Sequence, residues 1–171
     1  MNSVLIMSDS HGLTSDIDMI KSRHDVDHVI HCGDSELTAQ QPELKGVTIV
    51  KGNCDFERAF KEEIVINIKG LKFLIVHGHL HDVRANVYKL SLRAAELNVD
   101  VVCYGHTHTV HTEVVNNELI INPGSIWQPR MYDKKTYAIL SWTTREDLLV
   151  NYYTVTGEKV EELTFNASLN G

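Results

Sequence analysis

Cysteine is scarce in this chain, with three in 171 residues. An odd and low count leaves no disulfide framework. No two of the three have the close spacing of a zinc ribbon or finger. Basic runs are missing as well. Asp and Glu outnumber Lys and Arg by 23 to 16, for a formal net charge of -7. That balance argues against a stable nucleic-acid partner, although it still allows a nucleic-acid substrate. No apolar run approaches the ~20 residues of a membrane helix. Near the N-terminus, Val4-Leu5-Ile6-Met7 is too short for a secretory signal. Repeats, low-complexity tracts and linkers are also lacking. Together these absences predict one reduced, cytoplasmic domain over residues 1–171, without membrane contact. A chain of this length, 43% hydrophobic, can bury a sizeable core.

What is present is a repeated arrangement of an apolar strand followed by a short polar cluster. Ser3 to Met7 leads into Asp9-Ser10-His11, His28 to His31 into Cys32-Gly33-Asp34, and Val47 to Val50 into Gly52-Asn53-Cys54-Asp55. Leu71 to Val76 leads into His77-Gly78-His79, and Val99 to Tyr104 into Gly105-His106-Thr107-His108. Open α/β sheets bind ligands at the C-terminal ends of their strands. Thr14 or Ser15 can cap a first helix with Ile17, Ile20 and Met19 facing in. A short helix is expected around Glu36 to Gln40, stopping before Pro42. Arg84 to Leu97 reads as an amphipathic helix ended by Asn98. Hairpins are expected at Gly70 and at Asn116-Asn117. Strands are expected at Tyr137 to Trp142 and Leu148 to Val155. The polar stretch from Thr164, and residues 166–171 above all, is expected to fray. A β-α-β-α-β half followed by hairpins predicts an α/β fold of two packed sheets with helices outside.

Taken singly, Asp9 and Asp34 read as helix caps, and His77 or His106 as a satisfied core histidine. As a set the clusters read differently. Asp9, His11, Asp34, Asn53, His77, His106 and His108 offer carboxylate, amide and imidazole donors of the kind that bind Mn, Fe, Zn, Co or Ni. Seven are too many for one ion that must also meet substrate. They suit two ions, each with three private donors and one shared carboxylate. Two ions about 3.5–4 Å apart can generate hydroxide and bind two phosphoryl oxygens, the requirements of phosphoester hydrolysis. Cys32 and Cys103 read as small buried fillers. His31 and His81 read as supports of the cluster or as packing residues, and Arg130 as a solvated arginine.

The five clusters, in this order, resemble the motifs of the calcineurin-like metallophosphoesterases, and the chain is similar to the small bacterial and archaeal phosphodiesterase branch. The resemblance runs from Val4 to His108 and on through Asn122-Pro123-Gly124-Ser125. It implies a four-layer αββα sandwich. By position, Asp9, His11 and His108 resemble the donors of a first metal, Asn53, His77 and His106 those of a second, and Asp34 the bridging carboxylate beside a metal-bridging water. Two divalent ions per chain are implied, Mn²⁺ being the expected one. Many relatives carry a phosphate-contacting histidine where this chain has Cys54. A neutral thiol is a weak donor, which disfavours monoester hydrolysis and leaves Cys54, Asp55 and His79 as candidate catalytic supports. The implied activity is hydrolysis of a small phosphodiester or nucleotide-like substrate. Alternatives are a phosphomonoesterase or nucleotide phosphatase, and a noncatalytic protein-interaction scaffold, as in a retromer subunit of this family. Self-association as a homodimer or higher homo-oligomer is also expected, since hairpins leave sheet edges free.

Overall fold

The computed structural model describes residues 1–170. Its elements run β1 (Asn2–Met7), α1 (Ser15–Ser22), β2 (His28–His31), β3 (Val47–Ile49), β4 (Glu63–Ile68), β5 (Leu71–Val76), α2 (Tyr88–Leu97) and β6 (Val101–Cys103). They continue with β7 (Val110–Val115), β8 (Glu118–Pro123), β9 (Thr136–Trp142), β10 (Leu148–Thr154) and β11 (Lys159–Ala167). One sheet has the order β11-β10-β9-β1-β2-β3, and the other β4-β5-β6-β8-β7.

Strand alternation builds the layers. In β1, Val4 and Ile6 join the largest apolar cluster, between the sheets, while Leu5 and Met7 turn outward to meet Ile17 and Ile20 of α1. In β5, Phe73 and Ile75 face the same central cluster, while Leu74 and Val76 pack against Leu90 and Ala94 of α2. β6 and β8 repeat the division, with Cys103 and Ile121 inward and Val102 and Ile120 toward α2. Two sheets packed face to face, each covered by a helix, form the four-layer sandwich. Cys32 and Cys103 are buried free thiols. Each fully buried Leu, Ile or Phe contributes roughly 1.5–3 kcal/mol, so both faces of each sheet are held by burial.

The two expected hairpins form. Lys69-Gly70 and Asn116-Asn117 all have positive φ, as two-residue hairpin turns require. α2 begins later than expected, at Tyr88, because Asn86 Oδ1 accepts the Tyr88 N–H at 2.9 Å and starts the helix there. Asn98 ends it in the left-handed region at φ 50°. Met19 is 42% exposed rather than turned inward.

Two expectations are corrected. No helix covers Glu36 to Gln40. Glu36 is left-handed at φ 56° and gives its N–H to Asp55, so the chain cannot enter a helix there. A 3₁₀ turn begins instead at Pro42, where a missing N–H is harmless. The tail is also not frayed from Thr164. β11 pairs with β10 through Ala167, and Leu169 is fully buried with its N–H on the Arg145 carbonyl. Lys159, Glu161 and Glu162 mask this strand because an edge carries charge on its open face. Gly171 lies outside the described residues. Among those residues no helix is long and apolar enough to cross a membrane.

Candidate metal centre

Backbone pairing continues past the strand ends and sets the loops in register. Beyond β1 and β2, the N–H groups of Asp9, His11 and Gly12 bond the carbonyls of Gly33, Asp34 and Ser35 at 3.0, 3.0 and 2.8 Å. Asp9, His11 and Asp34 are thereby fixed relative to one another. On the second sheet the Gly105 N–H bonds the His77 carbonyl at 3.0 Å. The two loop sets approach closely only because Gly105 and Gly52 lack side chains. A Cβ on Gly105 would overlap the Ser8 hydroxyl and the Asp9 carboxylate, and one on Gly52 would overlap Asp34.

All seven candidate donors converge. Asp9 Oδ1 lies 3.2 Å from His108 Nε2, 3.8 Å from His11 Nε2 and 3.9 Å from His77 Nε2. Asp34 Oδ2 lies 3.2 Å from His77 Nε2 and 3.9 Å from His11 Nε2. Asn53 Oδ1 is 3.1 Å from His77 Nε2 and 3.0 Å from His106 Nδ1. Asp9, His11 and His108 form one tight triplet, and Asp9, Asp34 and His77 another.

The imidazoles are held with lone pairs inward. His77 Nδ1 gives its proton to the Cys32 carbonyl at 2.7 Å, and His108 Nδ1 to the Gln128 carbonyl at 2.6 Å. His11 Nδ1 faces the Glu36 carboxylate at 3.1 Å. Such outer partners fix the tautomer and raise the basicity of the ring. Asp9 Oδ2 accepts from the Ser8 hydroxyl at 2.6 Å and the His106 N–H at 3.0 Å. Its Oδ1 is buried and has no hydrogen-bond partner. An orphaned carboxylate oxygen surrounded by imidazole nitrogens attracts positive charge, and this donor set fits divalent cations.

Titration follows the same pattern. Burial alone would raise Asp9, but His108, His77 and the Ser8 hydroxyl bring it below the usual carboxylate range. Asp34 is also lowered, against burial, by His77, the Cys54 amide and His11. His77 is raised despite its burial because Asp34 and Asp9 face it. Burial pulls His106 down to about 4, helped by His77 and Arg84. Cys54 is pushed up to about 11 by burial and then by Asp34, so it stays a thiol at neutral pH.

The three candidate supports part company. Cys54 sits within reach of His11 and Asp34. His79 is half-buried, its ring centroid 5.4 Å from that of His77, and its Nδ1 has no partner. Asp55 faces away from the centre. Its carboxylate accepts the N–H groups of Asp34, Glu36 and Gly52 at 2.8, 2.7 and 2.7 Å, so it clamps two loops together. His31 is fully buried, accepts the Gly33 N–H at Nδ1 and donates its Nε2–H to the Ser10 hydroxyl oxygen at 2.8 Å. Arg130 touches this region through its backbone, its N–H on the His108 carbonyl.

Sequence reasoning overlooked Glu36, and it held Asn122 and Ser125 only as part of the resemblance, without a role. Glu36 could have been found as the acid next but one after Gly33-Asp34. Asn122 donates to the Gly105 carbonyl and to Thr107 Oγ1, both at 3.0 Å, and Ser125 donates to the Asp9 carbonyl at 2.8 Å. The loop Asn122 to Ser125 is therefore a brace between the two sheets. The carbonyls of Cys32 and Gln128 leave no trace in residue type.

These features define a class: an α/β sandwich whose strand-end loops gather Asp, His and Asn into a metal-binding cluster. The calcineurin-like phosphoesterase superfamily domain matches residues 2–145, and the chain belongs to that family. It is 43% identical over 169 residues to the probable metallophosphoesterase YsnB of Bacillus subtilis (strain 168), covering 98% of this chain and 99% of that one. It is 36% identical over 140 residues to phosphodiesterase MJ0936 of Methanocaldococcus jannaschii, covering 70% of this chain and 81% of that one. Its structure is similar to that of a conserved protein from Streptococcus pneumoniae TIGR4, a predicted phosphoesterase. That match has a TM-score of 0.93 and 34% identity, over 98% of this chain and 97% of the other. The family is one of metal-dependent phosphoester hydrolases, and the cluster has the donors that role requires.

Proposed function

We propose that this chain is a two-metal phosphodiesterase. The observation that supports it most is the orphaned Asp9 Oδ1, ringed by three imidazole nitrogens within 3.9 Å. Asp9, His11 and His108 would hold one ion, Asn53, His77 and His106 the other, and Asp34 would face both. Divalent ions there lower the pKa of water and offset charge on phosphoryl oxygens. Mn²⁺ suits this oxygen and nitrogen set, as do Zn, Fe, Co and Ni.

The chain's own groups then divide the work. Glu36 and the carbonyls of Cys32 and Gln128 keep the imidazoles aimed. Asp55 holds the Asp34 loop against Gly52. His79, half-buried beside His77 and lining the cavity next to His106, is placed to meet a nonbridging oxygen of the substrate. Cys54, a neutral thiol, is a weak proton donor. A leaving group must therefore depart largely unaided, and loss of general-acid help costs about 10²–10⁴ in rate. Activated diesters meet that condition better than monoesters. Three free thiols suit a reducing, cytoplasmic setting.

The test pairs elemental analysis with hydrolysis of bis-p-nitrophenyl phosphate, with and without Mn²⁺, in the wild type and His77→Ala. Near two ions per chain, chelator-sensitive turnover and loss of both in the variant are expected. Bound ions without turnover of any diester would overturn the enzymatic reading.

A further inference from the structure

The described strands leave four sheet edges, at β3, β4, β7 and β11. Three are blunted. β11 carries Lys159, Glu161 and Glu162, and β7 carries His111 and Glu113. β3 is only three residues long, and its continuation at Val50 is bridged to Lys61. β4 differs. From Ile64 to Ile68 it reads Ile-Val-Ile-Asn-Ile, without a charge, and Val65 at its middle is 37% exposed. A long uncharged edge is a template for pairing with another chain.

The hairpin decides which backbone groups are open. Its turn is Lys69-Gly70, so Ile68 and Leu71 are the hydrogen-bonded pair that closes it. Ile66 with Phe73 and Ile64 with Ile75 repeat that pairing toward the start of β4. The N–H and C=O groups of Glu63, Val65 and Asn67 therefore point away from β5, and among the described residues they have no backbone partner. Side chains alternate independently of this. Ile64, Ile66 and Ile68 face the central cluster, yet Ile64 and Ile66 stay only half-buried because the sheet stops beside them. A cavity of about 360 Å³ runs along this edge toward β3, lined by Ile49, Ala59, Ile64 and Ile66. The ends of the strand differ in charge. Glu62 and Glu63 stand at its start, and Lys69 follows its last residue.

The geometry points to the β4 edge as a homodimer interface, in which β4 pairs antiparallel with β4 of a second copy about a two-fold axis at Val65. Charge selects the direction. Antiparallel pairing sets the Glu62-Glu63 end of each strand beside the Lys69 end of the other, whereas parallel pairing sets acid on acid. Hydrogen bonding selects the register. With Val65 opposite Val65, Glu63 falls opposite Asn67 of the second copy, and each pair exchanges both its N–H···O bonds. Asn67 Oδ1 already accepts the Gly70 N–H at 3.2 Å, which leaves its NH₂ for the carboxylate across the axis. On the inner face Ile64 meets Ile66 of the second copy, and the doubled apolar row covers the open side of the cavity. The two five-stranded sheets become one continuous sheet. Such a contact is isologous, so it closes at two chains.

Sedimentation equilibrium on the full chain tests it. A contact confined to one strand and its flanks is at the small end of specific interfaces, so the wild type is expected to pass from one chain to two between about 1 and 300 µM. Val65→Lys sets two ammonium groups face to face on the axis and should weaken the dimer at least about tenfold in Kd. Val65→Pro removes an N–H that faces water in the single chain, a position where an edge strand accepts proline, and it should also be monomeric. Melting curves verify that both variants are folded. Glu161→Ala, on the β11 edge, should dimerise as the wild type does. Amide exchange read at both ends of the concentration range should slow at Glu63, Val65 and Asn67 and stay unchanged on β7 and β11. A wild type that is one chain throughout, a dimer that survives both Val65 variants, or protection on another edge overturns the inference. A mass that climbs past two chains overturns it as well, because the two-fold pairing uses up both edges.

Discussion

Asp9→Asn separates the centre's effect on folding from its effect on metal binding. In the metal-free protein two acceptors face each other, Asp9 Oδ1 and His108 Nε2, 3.2 Å apart. With the His108 imidazole neutral and its Nδ1–H on the Gln128 carbonyl, neither has a proton to offer. A buried acceptor left unpaired costs about 1–3 kcal/mol. In Asp9→Asn the side-chain oxygen keeps the bonds from Ser8 and His106, and the new NH₂ points at His108 Nε2. The two retained bonds lose their charge assistance, which takes back about 1 kcal/mol. Relief of repulsion between buried Asp9 and Asp34 adds to the gain. The balance is stabilisation of about 1 kcal/mol, or ~3 °C for a chain of this size.

Metal reverses the order. An ion at about a hundred times its Kd adds about 2.7 kcal/mol to the wild type, and the amide, a poorer donor, forfeits most of that. Melting in chelator at mildly alkaline pH should therefore place Asp9→Asn above the wild type, and melting in excess Mn²⁺ should place it below. If the variant melts lower in chelator, Oδ1 is not an unsatisfied acceptor. If Mn²⁺ lifts both proteins equally, Asp9 holds no ion.

Three further outcomes follow from the surroundings of the centre. Gly105→Ala forces a methyl group against Ser8 and Asp9; overpacking costs about 1–3 kcal/mol, and calorimetry should show the Mn²⁺ affinity falling with it. Asp55→Ala strands the N–H groups of Asp34, Glu36 and Gly52; a loss of at least ~2 kcal/mol in denaturant unfolding is expected, together with weaker metal binding. His31 is fully buried and held at about 4, below the ~6.5 of an unfolded histidine. The unfolded chain thus takes the proton first, and the His31 contribution is constant above pH ~6.5 and falls by up to about 3 kcal/mol as pH drops to ~4. His31→Gln in chelator should flatten that part of the stability profile, and an unchanged slope would contradict the assignment.

Much of the fold was legible because its signals are local. Val4 to Met7 and Phe73 to Val76 are apolar at every position, as strands covered on both faces must be, and Asn116-Asn117 announces its own turn. The seven donors were legible as types and spacings. The unread parts depend on partners distant in sequence. Glu36 was assigned to a helix because nothing nearby reveals that Asp55 takes its N–H. The end of β11, from Thr164, reads as a tail because its pairing with β10 is tertiary information. Asp55 was grouped with the catalytic candidates since adjacency to Asn53 says nothing about which way a carboxylate turns.

The least legible feature is the backbone of the donors themselves. Asp9, His11, Asp34, His106 and His108 have φ of 54°, 42°, 55°, 68° and 58°. Left-handed backbone costs an ordinary residue about 1–2 kcal/mol, and histidine gives no sequence warning of it. In both Asp9-Ser10-His11 and His106-Thr107-His108 the strained residues alternate with one whose hydroxyl is bonded elsewhere: Ser10 to His31, and Thr107 to Asn122. Each loop is thus pinned at its middle, while the residues on either side present their side chains to the centre. The strain is held by the paired backbones, by Asn122 and Ser125 bracing one sheet against the other, and by the Asp55 clamp. A site maintained at that cost, with no apolar burial gained by it, is shaped for a ligand rather than for the stability of the fold.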